Sequence, residues 1–161
     1  MNNIIKYNPI GIINTPFTKL EGMPIQPAGA KGVKGTVELK PEYIKGLKDI
    51  EGFSYIILIY HFHLSKDFSL EVIPFLDDKP HGLFTTRAPN RPNPIGISTV
   101  RLVKVAKNKL YIEDVDIING TPLLDIKPFI PGFDSRSYGR TGWLTEEKNF
   151  SEIRSDKRFK Y

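Results

Sequence analysis

Phe53-Ser54-Tyr55-Ile56-Ile57-Leu58-Ile59-Tyr60-His61-Phe62-His63 contains the longest uninterrupted apolar run of the chain, residues 55–60. Its β-branched and aromatic side chains suit a pleated strand. Odd and even positions are both apolar, so both faces call for cover and the strand should be central. The run is far too short for a transmembrane helix, which needs roughly 20 apolar residues. Outward from it, the segment 95–105 begins after Pro94 and alternates, with Val100, Leu102, Ile97 and Val105 as burial candidates. Further strands are expected at 10–14, 35–39, 82–85, 109–115 and 123–129, each bounded by glycine, proline or polar residues. A helix is expected only at 41–48, where Pro41 suits the first turn and Tyr43, Ile44 and Leu47 form one stripe. Many short strands without long helices predict a mainly β chain, a barrel or a sandwich, with one or two short helices.

Length and composition bound the function classes. At 161 residues, with 40% hydrophobic and 25% charged content, the chain makes one globular domain, 1–161. No repeat and no second-domain boundary interrupts it. After Pro131 the sequence turns polar, so 132–161 reads as an appendage of the same domain. The absence of cysteine excludes disulfides, structural zinc fingers and thiol catalysis. The first residues lack the basic-then-apolar layout of a signal peptide, so a cytoplasmic location is expected, with no membrane partner. Asn119-Gly120-Thr121 and Asn149-Phe150-Ser151 match a glycosylation pattern that has no meaning without secretion. The net charge of +5 favours an acidic partner such as nucleic acid. The basic residues Lys157, Arg158 and Lys160 read as a solvated, frayed end.

Familiar nucleotide-binding motifs fail. Residues 29–36 superficially suggest a phosphate loop, but the Gly-Lys-Ser/Thr order is scrambled and a strand follows. No G-x-G-x-x-G turn follows a strand, which argues against a Rossmann methyltransferase. His61 and His63 are two apart and so share a strand face. With His81 and Asp77 or Asp78 they could hold a metal, but packed histidines beside a polar loop, 65–80, are the preferred reading and no metal is expected. The stretch Thr86-Arg87-Ala88-Pro89-Asn90-Arg91-Pro92-Asn93-Pro94 makes a stiff, electropositive loop, either a binding rim or a rigid connector. Asp125 and Lys127 share a face and form either a structural ion pair, which is preferred, or a proton-handling pair.

Several blocks in order resemble the TsaA-like family, the TrmO-type tRNA adenosine methyltransferases. They are Ile10-Gly11 with Thr15-Pro16-Phe17, Pro24-Ile25-Gln26-Pro27, Gly46-Leu47 with Glu51-Gly52-Phe53-Ser54, and Phe62-His63. Gly82-Leu83-Phe84-Thr85-Thr86-Arg87, Arg91-Pro92-Asn93-Pro94-Ile95-Gly96-Ile97-Ser98 and Gly120-Thr121-Pro122-Leu123-Leu124-Asp125-Ile126-Lys127-Pro128-Phe129 complete the series. The resemblance covers most of 10–131 and implies a single-sheeted, antiparallel-rich β-barrel. It also implies a homodimer that binds S-adenosylmethionine close to the subunit interface.

The implied reaction is methylation of the exocyclic nitrogen of threonylcarbamoyl-adenosine, next to the anticodon of certain tRNAs. The implied cofactor residues are Ile25, Gln26, Pro27, His63, Leu64, Arg87, Ile97, Ile117, Ile118, Asn119 and Gly120. Catalytic candidates are Asp125, Lys127 and Arg91. Asn119 departs from the aspartate usual in the family. Bacterial relatives often carry an additional C-terminal domain, so tRNA binding here is expected to lean on the dimer and on the terminal segment. A non-catalytic module that binds S-adenosylmethionine or RNA is the alternative, and a metal-dependent hydrolase built on His61, His63 and His81 is the weakest reading.

Overall fold

Among the described residues eight strands follow in chain order: β1 (Gly11–Asn14), β2 (Lys34–Leu39), β3 (Tyr55–His61), β4 (Glu71–Val72), β5 (His81–Gly82), β6 (Ile95–Ala106), β7 (Lys109–Glu113) and β8 (Thr121–Pro128). This computed structural model describes residues 4–144 and 149–159. Six strands close into a barrel in the order β1-β2-β7-β6-β3-β8, and β8 returns to β1. Every barrel pairing is antiparallel, as expected of the fold class. β4 and β5 pair separately as a small ribbon. Helix is scarce among the described residues: one four-residue α-helix, α1 (Pro131–Asp134), and a few 3-10 turns. No helix among them is long and apolar enough to cross a membrane.

The apolar run that decides the fold is β3, hydrogen-bonded to β6 on one side and β8 on the other. Ile56, Leu58 and Tyr60 point inward and meet Ile13, Val37, Val100, Leu110, Ile112 and Leu123, all buried. On β6 the inward set is Gly96, Ser98, Val100 and Leu102. Ile97, expected to be buried, falls on the other parity and is 56% exposed. A register shift between Leu102 and Lys104 then reverses the alternation, which lets Val105 pack against the core. A second shift, opposite the Ile59/Tyr60 step, does the same on β8. Leu123 is inward before it, Ile126 packs inward after it, and Asp125 and Lys127 emerge on the outer face.

Three local expectations need correction. Residues 82–85 do not form a strand beyond Gly82. Instead Leu83–Thr85 curls into a 3-10 turn, because the Leu83 carbonyl accepts both the backbone N–H (3.0 Å) and the hydroxyl (2.8 Å) of Thr86. The helix expected at 41–48 is a 3-10 helix, Pro41–Leu47, and only Leu47 of its stripe packs against the core, while Tyr43 and Ile44 stay exposed. The terminal segment is docked rather than frayed. Arg154 bridges to Pro24, and Ser155 exchanges backbone bonds with Gly22 and Met23 at 2.9 Å. Phe159 inserts beside Leu83, Ala88 and Phe75, and Arg158 donates to the carbonyls of Pro74 and Asp77. Lys160 lies outside the described residues.

Candidate functional site

One end of the barrel opens into a cavity of about 840 Å³. Its floor is the end of β3, with Tyr60, and the start of β6, with Gly96. Glycine is required at 96, since a Cβ there would collide with the rings of Tyr60 and Phe62. The walls come from four loops: 24–28, 62–65, 84–91 and 116–118. The docked tail closes a further side with Phe150, Ser155, Asp156 and Phe159, and Trp143 stands beside Thr85.

The loops are tied to one another. The Phe62 N–H donates to the Pro94 carbonyl at 2.8 Å, and the Ser65 hydroxyl reaches Asn90 Oδ1 at 3.0 Å. Arg91 folds back on its own loop, donating to the carbonyls of Thr86 (3.0 Å) and Ala88 (3.3 Å) with Phe84 beneath its guanidinium. The stiff proline loop is thus internally braced, and Arg87 alone of its two arginines is left exposed. Arg87 donates to Gln26 Oε1 at 3.1 Å, which joins two walls across the cavity.

Of the residues implied by the sequence resemblance, Ile25, Gln26, Pro27, His63, Leu64, Arg87, Ile97, Ile117 and Ile118 line this one cavity. Asn119 and Gly120 do not line it. They shape its wall instead: Asn119 Oδ1 accepts the Thr15 N–H at 3.0 Å, and Gly120 adopts φ +78°, a left-handed conformation natural to glycine. Thr15 in turn donates its hydroxyl to the Ile117 carbonyl at 2.7 Å, holding the 116–118 loop from behind. Among the catalytic candidates only Arg91 lines the cavity. Asp125 and Lys127 pair at 2.8 Å on the outer face of β8, both well exposed.

The histidines separate. β3 ends at His61, and His63 lies in the following turn with its Nδ1 buried and without a protein partner. Burial, followed by the nearby His61, lowers its pKa. His81 is elsewhere, bonded to Asp77 at 2.9 Å and stacked on Trp143. No group of three or more metal-ligating side chains is brought together among the described residues.

The residue that sequence reading passed over is Asp116. It lines the cavity and accepts a 2.7 Å hydrogen bond from the Ser98 hydroxyl, which is itself 3.0 Å from the Tyr60 hydroxyl. Burial pushes the Asp116 carboxyl up from its ordinary value to about 6, against the lowering effect of Ser98 and Arg87. Tyr60 is raised for the same reason, burial first and the Asp116 charge second. The sequence did carry a signal for this network. Ser98 sits on the inward parity of an apolar strand, and a polar side chain there calls for a buried partner.

An apolar cavity with one exposed arginine, one half-buried carboxylate and one unsatisfied imidazole nitrogen suits a small organic ligand of mixed charge. Comparison with known proteins gives that cavity a family. Residues 12–135 match the family described as the tRNA-methyltransferase O N-terminal domain. A protein of Pyrococcus abyssi described as a probable S-adenosyl-L-methionine-binding protein is 57% identical over 97% of this chain and 85% of its own length. The human tRNA (adenine(37)-N6)-methyltransferase is 33% identical over 79% of this chain, which spans 30% of that enzyme. The crystal structure of TrmO from Pseudomonas aeruginosa superposes with a TM-score of 0.75 at 33% identity, covering 89% of this chain and 64% of that one. The family match spans most of the barrel and the solved structure superposes over nine-tenths of the chain, so the chain belongs to the tRNA-methyltransferase O N-terminal domain family.

Proposed function

We propose that this protein is an S-adenosylmethionine-dependent tRNA methyltransferase acting on the exocyclic nitrogen of adenosine, in its threonylcarbamoyl form, beside the anticodon. The observation that carries the reading is the convergence of Gln26, His63, Arg87 and Ile117 on one cavity from four separate loops. The cavity fits the cofactor. Apolar side chains line most of it, the orphaned His63 Nδ1 offers a polar contact, and Asp116 supplies a negative charge near Arg87. S-adenosylmethionine brings an electrophilic methyl carbon already activated by the sulfonium, so the protein has to align the reacting atoms and exclude water. Braced loops perform that task. Arg91 and Ser65 fix the proline loop, and Asn119 with Thr15 fixes the wall opposite.

An anticodon-loop base is already unpaired, so splaying it toward a pocket costs little. Exposed Phe84, with Trp143 and Arg87, gives the cavity mouth two aromatic faces and a cation, the elements that hold a single-stranded base and its phosphate. The Asp125–Lys127 pair would enter the chemistry only in an assembly that brings the outer face of one barrel to the cavity of another.

A non-catalytic S-adenosylmethionine-binding module is the second reading, favoured by the binding-protein description of the Pyrococcus relative. Calorimetry with S-adenosylmethionine, then nucleoside mass spectrometry of tRNA incubated with protein and cofactor, decides between them. Binding together with a new N6-methylated adenosine supports the enzyme. Binding without methylation of any tRNA selects the module, and failure to bind removes both.

A further inference from the structure

Tyr60, Ser98 and Asp116 come from β3, β6 and the loop after β7, yet they form one hydrogen-bonded row that ends at the cavity wall. Ser98 and Tyr60 are buried, so water does not solvate the row from behind. Of the other charged groups that line the cavity, Arg91 is bonded to its own loop and Asp156 is paired with Arg158. Ser98 donates from β6, Tyr60 stands behind Ser98 on β3, and Arg87 is the one cation from the loop side whose field reaches it. Arg87 is exposed and already engaged by Gln26, so it is a screened and incomplete partner. His63 lines the same cavity, its pKa lowered by burial and by His61. A carboxylate so placed is stabilised best by a positive charge inside the cavity itself.

We propose that Asp116, held by Ser98 and Tyr60, is the cavity's counter-charge for a cationic ligand and makes the site prefer a sulfonium compound to its neutral thioether counterpart. The inference rests on the proposed cofactor reading and adds to it the residue that reads charge. S-adenosylmethionine carries one more positive charge than S-adenosylhomocysteine and is otherwise nearly the same shape, so the discrimination is electrostatic. Near pH 6 the empty site holds Asp116 partly protonated, and a bound cation drives that proton off. A neutral thioether gives no such drive. The same device favours release of the spent ligand, because loss of the sulfonium charge leaves Asp116 again without a partner in the cavity.

The test is calorimetric binding of the two ligands at pH 6 in buffers of different ionisation enthalpy, with the wild-type protein, Asp116→Asn and Ser98→Ala. Asparagine keeps an acceptor for Ser98, and a thermal melt confirms that each variant is folded. S-adenosylmethionine should release about half a proton from the wild type at pH 6, as expected for a group with a pKa of about 6, and almost none at pH 8. S-adenosylhomocysteine should release none. Asp116→Asn should abolish the release and weaken S-adenosylmethionine by about tenfold or more, changing the thioether less than about twofold. Ser98→Ala, which removes a bond that favours the ionised form, should move the proton release to higher pH. Equal proton counts in wild type and Asp116→Asn overturn the assignment, as does a sulfonium-to-thioether preference unchanged by the substitution. Failure of S-adenosylmethionine to bind the wild type at all overturns this inference and the cofactor reading together, which the other outcomes do not.

Discussion

Asp116 occupies a position that costs the empty barrel stability, and the sign of that cost is measurable. Its carboxyl has a folded pKa of about 6, raised by burial above the unfolded value. The folded state therefore holds the proton more tightly, a contribution to stability that is full below about pH 4 and lost as pH rises through 6. Asp116→Asn should remove this dependence and stabilise the ligand-free protein near pH 7 by on the order of 1–3 kcal/mol relative to wild type. Urea unfolding of both proteins at pH 4.5 and pH 7 checks it, and a parallel pH dependence in the two would count against an Asp116 that titrates near 6.

The two arginines of the proline loop should fail differently. Arg87→Ala removes an exposed cation that lines the cavity and holds Gln26, so cofactor binding should weaken about tenfold without RNA present, with little change in melting. Arg91→Ala strips the donor from two carbonyls of its own loop and should cost about 1–3 kcal/mol of stability. Calorimetry and thermal melts separate these outcomes, and equal effects of both changes on cofactor affinity would sink the division of labour.

At the scale of elements, the strands are legible because alternation is a local signal, and it misleads at the bulges and at one residue whose chemistry points the wrong way. The chemistry of Ile97 points inward, yet the inward set of β6 includes Gly96 and Ser98, the two residues least like a core. Nothing local in the sequence marks the shift opposite the Ile59/Tyr60 step on β8, which sends Asp125 and Lys127 outward while keeping Leu123 and Ile126 inward. Asp116 was invisible for a different reason: its partners lie 18 residues away on β6 and still further back on β3, so closure of the barrel creates the site. The charges of the tail are visible locally, whereas the hydrophobic slot for Phe159 exists only once Val72, Phe75, Leu83 and Ala88 are brought together by the fold.

That docked tail yields its own prediction. Phe159 is buried, but the segment around it can detach without opening the barrel, so Phe159→Ala should cost less in global unfolding than the roughly 3–5 kcal/mol of a central phenylalanine. Amide exchange should rise selectively at Ser155 and around Pro74–Asp77, and the cofactor should bind more weakly because the tail lines the cavity. Unchanged exchange at both places would show that the tail does not depend on its anchor.

For the whole molecule, the outer faces of β3, β6 and β8 form one apolar surface that the barrel alone leaves unexplained. Ile59 pairs with Ile97 across one side and with Asp125 across the other, Ile57 pairs with Lys127, and Ile95 follows at the cavity end. Ile95 and Ile97 are exposed in the single chain. We propose that a second copy covers this face, because an apolar row flanked by an ion pair is a self-complementary pattern for a two-fold contact, and because Ile97 belongs to both the row and the cavity rim. In a monomer the Asp125–Lys127 pair is solvent-exposed and worth no more than about 1 kcal/mol, so Lys127→Ala should hardly change unimolecular stability. In a dimer the same pair would be enclosed. Removing one partner should then weaken association strongly, and Asp125→Asn with Lys127→Ala together should weaken it less than the sum of the two. Sedimentation at micromolar concentration should show a wild-type dimer, an Ile97→Glu monomer, and a Lys127→Ala protein shifted toward monomer. Single-turnover methylation completes the test. Activity in Lys127→Ala that recovers at concentrations restoring the dimer assigns the lysine to assembly. Loss of methyl transfer in a fully dimeric, cofactor-binding Lys127→Ala protein would instead bring it to the reacting atoms. A wild-type protein that is monomeric and fully active would remove the interface altogether.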